Sequence, residues 1–177
     1  MSKAAELAKF IADGTLGTDV TNIKHSGGTN ALTIDSTGRV LTPARPSFKA
    51  KPSGSATTIA SGNDLVFADV TSATHGCHNI GGHYSTSTGK FTAPLAGVYF
   101  FSVNVYQNNT SDAEVDFYLN SQQVAAIRGL SDGASYDTLN IGTILKLSAS
   151  DEVKARCVYG TIYVETNVHS FCGHLIG

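Results

Sequence analysis

Residues 89–107 read GKFTAPLAGVYFFSVNVYQ, and the rest of the chain is placed relative to this stretch. Gly89, Lys90 and Phe91 read as a turn entering a short strand, and Pro94, with no N–H to give to a ladder, stops it. Gly97 opens a second strand. From Val98 to Tyr106 the residues are β-branched, aromatic, or small and polar, the chemistry of a pleated surface rather than a helix. Alternation sends Tyr99, Phe101, Val103 and Val105 to one face and Val98, Phe100, Ser102, Asn104 and Tyr106 to the other. Both faces hold aromatics, so the strand is either central between two layers or lies against another subunit.

The remaining composition fits this strand. At 177 residues the chain suits one full-sized domain with an extension. Charged residues make up only 15% and Gly numbers 18, which suits short strands joined by tight turns. A formal net charge of -2 supplies no basic field for phosphate, so nucleic acid is not an expected partner. No run approaches the roughly 20 apolar residues of a spanning helix. The N-terminus lacks the charged and apolar tandem of a signal peptide, so the expectation is synthesis in a cytosol, release by lysis and no membrane insertion. Cys77, Cys157 and Cys172 are too few and too odd in number for a disulfide framework, and free thiols are expected.

In chain order, Met1 to Ala12 is the helical candidate, with Leu7, Phe10 and Ile11 at i, i+3, i+4 spacing and Ser2 as an N-cap. So short a helix needs a surface to pack against, which makes these three residues candidate anchors. Val20 to His25, Asn30 to Asp35 and Arg39 to Leu41 read as small β pieces with too few apolar residues for a core of their own. Pro43 and Pro46 bracket a stiff joint, dividing the chain into a segment 1–42 and a head 43–177. Strands are expected at Ser47 to Lys51, Leu65 to Val70, Glu114 to Asn120, Val124 to Arg128, Asp137 to Leu147, Glu152 to Tyr159 and His169 to Ile176. The stretches 51–63 and 160–167 read as loops.

Candidate chemistry is sparse. His75, Cys77, His78 and His83 in THGCHNIGGH are side chains that ligate zinc or copper, so a structural metal ion is one reading and satisfied surface histidines the other. There is no GxSxG for a nucleophilic serine, and the carboxylate pairs Asp112/Asp116 and Asp132/Asp137 are of a kind found in most chains, so no enzyme is expected. Phe100, Tyr106, Tyr118, Ile144 and Val158 fall on faces opposite the expected core and, with Tyr136 in a loop, would make an apolar subunit interface.

Three separated motifs resemble the C1q-like domain, which shares its jelly roll with the tumour necrosis factor family. GHYSTSTGKF at 82–91 is similar to that family's glycine, aromatic, turn, glycine, lysine, phenylalanine run. Pro94 with Gly97, Tyr99 and Phe101 follows at the family's spacing, and SFCGHLI at 170–176 is similar to its closing strand. A Gly-Asp pair usual in the family's turn near Asp151 is absent here. The resemblance implies an all-β antiparallel jelly-roll sandwich from about Pro46, preceded by a short N-terminal helix and small β segment. It also implies a homotrimer without cofactor, with loops 107–113, 129–136 and 160–167 free for recognition. Asn108, Asn109, Asp112, Asp132, Tyr136 and Tyr163 are the candidate contacts there, for a polar or glycan surface. Some C1q-like heads hold calcium on loop oxygens, which makes Asp112, Glu114 and Asp116 candidates, against a solvated acidic edge.

ALTIDSTGRV at 31–40 resembles segments that precede fibre or knob domains in tailed-phage virion proteins. The expectation is a trimeric virion protein of tail-fibre type, joined to other virion proteins through 1–42 and displaying its head to a host cell-surface molecule or glycan. A capsid decoration protein is the alternative, and a particle-free bacterial C1q-like lectin a third.

Overall fold

A computed structural model describes residues 22–24, 27–28, 30–108, 111–133 and 136–177. The strands among them are β1 (Asn22–Lys24), β2 (Asn30–Ile34), β3 (Val40–Leu41), β4 (Ser47–Ala50), β5 (Thr57–Ala60), β6 (His78–Ile80), β7 (Tyr84–Ser85), β8 (Lys90–Thr92), β9 (Gly97–Gln107), β10 (Ala113–Leu119), β11 (Gln122–Gly129), β12 (Thr138–Leu147), β13 (Glu152–Tyr159), β14 (Thr161–Val164) and β15 (Ser170–Leu175). They fall into two compact units, Met1–Ala44 and Arg45–Gly177. The expected N-terminal helix and the anchors Leu7, Phe10 and Ile11 lie outside the described residues.

The first unit contains the three-stranded sheet β1-β2-β3. Ile23, Ile34, Val40 and Leu41 are all exposed in it, and none of its described residues is buried. Its order is local. Asp35 accepts hydrogen bonds from the backbone N–H groups of Thr37 (2.9 Å) and Arg39 (3.0 Å), closing the DSTG turn. Bonds from the Thr37 hydroxyl, then from the Arg39 backbone and side chain, hold the Asp35 carboxyl down at about 2.

The second unit is a sandwich of two antiparallel sheets. One has the order β11-β10-β13-β8-β7. The other is built on β9, which pairs with β12 along one edge from Gly97 to Tyr106. Along its other edge it pairs with β15 from Tyr99 to Asn104 and with β14 at Tyr106 and Gln107. From β15 the sheet continues through β4 to β6, and from β14 to β5. Alternation along β9 is as expected: Tyr99, Phe101, Val103 and Val105 are buried, and the residues between them are half-exposed.

Those buried residues meet Phe91, Val115, Phe117, Val153, Ala155 and Cys157 of the facing sheet, together with Phe48 and Phe171 from their own. Phe101 is the hub, within 6.5 Å, ring centroid to centroid, of Phe48, Phe91, Tyr99, Phe117 and Phe171. Gly173 makes room for it. A Cβ there would stand 2.5 Å from the Phe101 ring and 2.8 Å from that of Phe48.

Three local expectations fail. Leu65 to Val70 is not a strand. Leu65 donates its N–H to the Ala155 carbonyl (2.9 Å), but beyond it the Tyr84 hydroxyl takes the ladder's place. That hydroxyl donates to the Phe67 carbonyl (3.0 Å) and accepts from the Phe67 N–H (3.2 Å). Conversely, β5 and β14 form inside stretches read as loops. Their sequences, TTIA and TIYV, are rich in β-branched residues, and they pair with one another from Ala60↔Thr161 to Thr57↔Val164.

The turn between β12 and β13 lacks the expected glycine, and Ser150 occupies its left-handed conformation at φ 72. Asp151 holds this turn through a bond from the Ser148 N–H (2.8 Å) and another from the Asn120 side-chain amide (3.1 Å). Asn120, itself at φ 55, directly follows β10, so two turns are fastened side by side. A left-handed non-glycine residue costs about 1–2 kcal/mol. Ser150→Gly is therefore expected to raise stability by about 1 kcal/mol, after the extra chain entropy of glycine. Urea unfolding followed by tyrosine absorbance checks this, and an unchanged or lower midpoint would show the turn unstrained.

Candidate functional site

The outward side of the β9 sheet is one candidate surface, and register arranges it in rows. Across β12, β9, β15 and β4 the first row is Ile144, Phe100, His174 and Ser47. Ile144 is 63% exposed, and the Phe100 and His174 rings are 5.6 Å apart. The next row is small: Gly142, Ser102 and Cys172, then Lys49. The Phe100 ring leans over Gly142, 3.3 Å from where a Cβ would be. The third row is Asn140, Asn104 and Ser170, where the Asn104 amide oxygen accepts the Ser170 N–H and hydroxyl, both at 2.9 Å.

The last row is aromatic. Tyr106 and Tyr163 are cross-strand partners, and Tyr136 stacks on Tyr163 at 4.6 Å and lies 6.2 Å from Tyr106. Burial, then the nearby Glu165 carboxylate, raises the Tyr163 hydroxyl above its ordinary value. His169 meets the Tyr106 ring edge-on at 4.4 Å. The geometry therefore joins Phe100, Tyr106, Ile144, Tyr136 and Tyr163 on one face, although Tyr163 was expected in a loop and stands on β14. Tyr118 and Val158 do not belong with them. They lie on β10 and β13 of the other sheet, turned away from its core, so the five expected interface residues do not form one surface.

The connections expected to carry recognition meet at one end of the sandwich. The Gln107 N–H donates to the Asp137 carbonyl (2.7 Å) and the Asn108 N–H to that of Thr161 (3.1 Å). The Asp112 carboxylate accepts the Ser131 N–H (2.9 Å), tying the β9–β10 connection to the β11–β12 connection, where Asp132 also lies. Gly160 (φ 65) is required, because a Cβ there would meet the Asp112 carbonyl oxygen. Asn109 lies outside the described residues.

The histidine and cysteine cluster is dispersed. His75 Nδ1 is 2.8 Å from the Ser72 hydroxyl, and His78 spans the Gly76 carbonyl (3.0 Å) and the Ser47 hydroxyl (3.1 Å). His83 packs edge-on near Phe91 (6.5 Å), and burial pushes the Cys77 thiol up, away from the thiolate a metal would need. Among the described residues no three His, Cys, Asp or Glu side chains stand together as a metal-holding group. Of these residues only His78 lies on a strand, β6, while His75 ends a 3-10 turn and Cys77 and His83 lie in connections, which spacing along a glycine-rich segment does not reveal. The cysteines are also unpaired: Cys157 faces the core and Cys172 faces outward.

The acidic trio is no calcium cradle either. The Arg128 guanidinium already stands against Asp112 (3.5 Å) and Glu114 (3.9 Å), and it lies 4.3 Å over the Tyr159 ring. Asp116 is not a solvated edge residue. It is 2% exposed with Oδ1 unpartnered, and burial, reinforced by the Glu114 carboxylate, raises it to about 6. An unfolded aspartate titrates near 3.9, so the folded state holds this proton more tightly. The stability this lends is present below about pH 4 and is lost as pH rises through 6. Asp116→Asn is expected to raise stability at pH 7.5 by up to about 3 kcal/mol, with the gain fading toward pH 4. Urea midpoints at the two pH values check this, and a pH-independent difference would contradict it.

Among the described residues no helix is long and apolar enough to cross a membrane. Residues 48–176 match the C1q domain family. The chain is 33% identical over 101 residues to complement C1q tumor necrosis factor-related protein 3 of Mus musculus, covering 55% of this chain and 41% of that one. It is 30% identical over 139 residues to the related protein 5 of Rattus norvegicus, covering 76% of this chain and 54% of that one. The chain thus spans about half the length of the curated relatives it matches. The globular domain of zebrafish complement 1qA protein has the same fold, with a TM-score of 0.60 and 17% identity over 75% of this chain and 98% of that one. So does Eiger TNF from S. frugiperda, at 0.58 and 16% over 75% and 94%. On the match of residues 48–176 and the shared jelly-roll sandwich, the chain belongs to the C1q domain family.

Proposed function

We propose that this chain is a non-enzymatic homotrimeric display head, assembled through the outward face of β9 and β12. The observation that carries this reading is the Phe100–Ile144 row. Ile144 lies open beside half-exposed Phe100, next to Ser102 and Cys172, whose small side chains let a second chain come close. C1q and tumour necrosis factor family members form homotrimers, and this row gives the present chain a surface for doing so. The gathered connections around Asp112, Ser131 and Tyr136, rich in Asn, Ser, Asp and Tyr, are the surface offered to a partner.

The finer reading is a virion protein of a tailed phage, made in the host cytoplasm, mounted through residues 1–42 and presenting its head to a host-surface molecule or glycan. It is supported by the ALTIDSTGRV likeness and by the lack of buried apolar residues in the described part of the first unit. Sedimentation of the full chain tests the assembly: the expected mass is three times the 18.5 kDa chain, with Ile144→Asp falling to monomer. A monomeric parent, or a trimeric variant, would refute the interface. Immunogold labelling of particles with antibody to the head tests the mounting. Label at tail tips agrees with attachment, whereas label over the capsid shell would make the protein a decoration instead.

A further inference from the structure

Beside the end of β4 lies a pocket of about 180 Å³ whose walls include Lys49, Lys51, Thr74, His75 and His169. Its volume equals about six liquid waters, too small for a drug-sized ligand and enough for one ionic group with the edge of its carrier. Two of its cationic or donor groups are unanswered. The Lys49 ammonium makes no hydrogen bond or ion pair with any described residue. His169 is 2% exposed, and its Nδ1 accepts the Glu165 N–H at 2.7 Å. Nδ1 therefore carries no hydrogen, the neutral ring is protonated on Nε2, and that buried donor has no acceptor among the described residues.

The rest of the pocket is held in place. Lys51 is 7% exposed and pairs with Asp69 at 3.0 Å. The same Asp69 accepts the Thr71 N–H (2.8 Å) and Ser72 N–H (3.2 Å), which fixes the turn carrying Thr74 and His75. Asp69 is answered by Lys51, which leaves Lys49 as the unpaired cation of the pocket wall, with the Glu165 carboxylate near His169 as the opposing charge. A buried donor without an acceptor costs on the order of 1–3 kcal/mol. An anion held by Lys49 would satisfy it too once the pocket wall shifts to uncover Nε2, which is shut from solvent, and the several donors, set on three separate chain segments, suit a group with several oxygens.

We infer that this pocket is an oxyanion subsite, taking a sulfate or phosphate ester on a surface glycan. It rests on the display reading for the glycan carrier but not for the anion. The test uses the full chain at constant ionic strength in chloride, following the His169 imidazole signals by NMR. Inorganic sulfate, inorganic phosphate, galactose 6-sulfate, galactose 6-phosphate and plain galactose are titrated separately.

The expected result is saturable movement of the His169 signals with the charged sugars and none with galactose. Lys49→Met should weaken binding by about tenfold or more, and Lys49→Arg should restore most of it. Saturable movement with the inorganic ions but not with their sugar esters would overturn the glycan carrier. No movement with any anion, or equal binding by Lys49→Met, would overturn the subsite. Anion binding that Lys49→Met abolishes without changing cell attachment would remove the attachment reading and leave the subsite standing. Attachment without any anion binding would do the reverse.

Discussion

The Phe101 ring seated over Gly173 is the contact on which the sandwich depends. Phe101 comes from the middle of β9 and Gly173 from the middle of β15, and the two are cross-strand partners in one sheet. Because position 173 has no side chain, the ring can lie down across its own sheet and still reach Phe91 and Phe117 of the other. A methyl group at 173 would displace two phenylalanines at once. Cores packed as densely as protein interiors do not absorb such a displacement without strain. The closing motif SFCGHLI thus has a physical reason for its glycine.

This core also decides what faces outward. Once the odd-numbered residues from Tyr99 to Val105 are committed to the interior, period-two geometry leaves Phe100, Ser102, Asn104 and Tyr106 on the other side. The register of β12 then places Ile144 beside Phe100 and Thr138 beside Tyr106. An apolar end, a small middle and an aromatic far end follow from one strand's parity and its neighbours' alignment. Recognition chemistry is confined to what this parity leaves over, together with the connections gathered at the Tyr106 end.

The long strands of the sandwich were legible because they rest on local alternation. The faces of β9, β12 and β13 read directly from GVYFFSVNVYQ, TLNIGTILKL and EVKARCVY, and the hairpin of β10 and β11 from its turn. What was not legible depends on distant partners. TIYV reads as a loop until TTIA, about a hundred residues earlier, supplies its ladder. Phe67 reads as strand until a tyrosine hydroxyl replaces the expected pairing. The histidines of THGCHNIGGH look like ligands along the chain and separate once each finds a hydroxyl, a carbonyl or a ring. Lys49 and His169 carry no sequence signal of their association, since only the pairing of β4 with β15 brings their ends together.

That same pairing bears on how the molecule is made. β4 opens the second unit with β6 on one edge and, on the other, β15, the last of the described strands, with Ser47 opposite His174 and Phe48 opposite Gly173. During synthesis β4 can pair early with β6, Ser47 opposite Ile80, but its link to β9 waits until β15 has left the ribosome. Contacts of this sequence separation are slow to close. The β4–β6 pair therefore joins the sheet of β9 only once β15 is made, and until then the Phe48 ring can stack on Tyr84 and Phe91 but lacks Phe171.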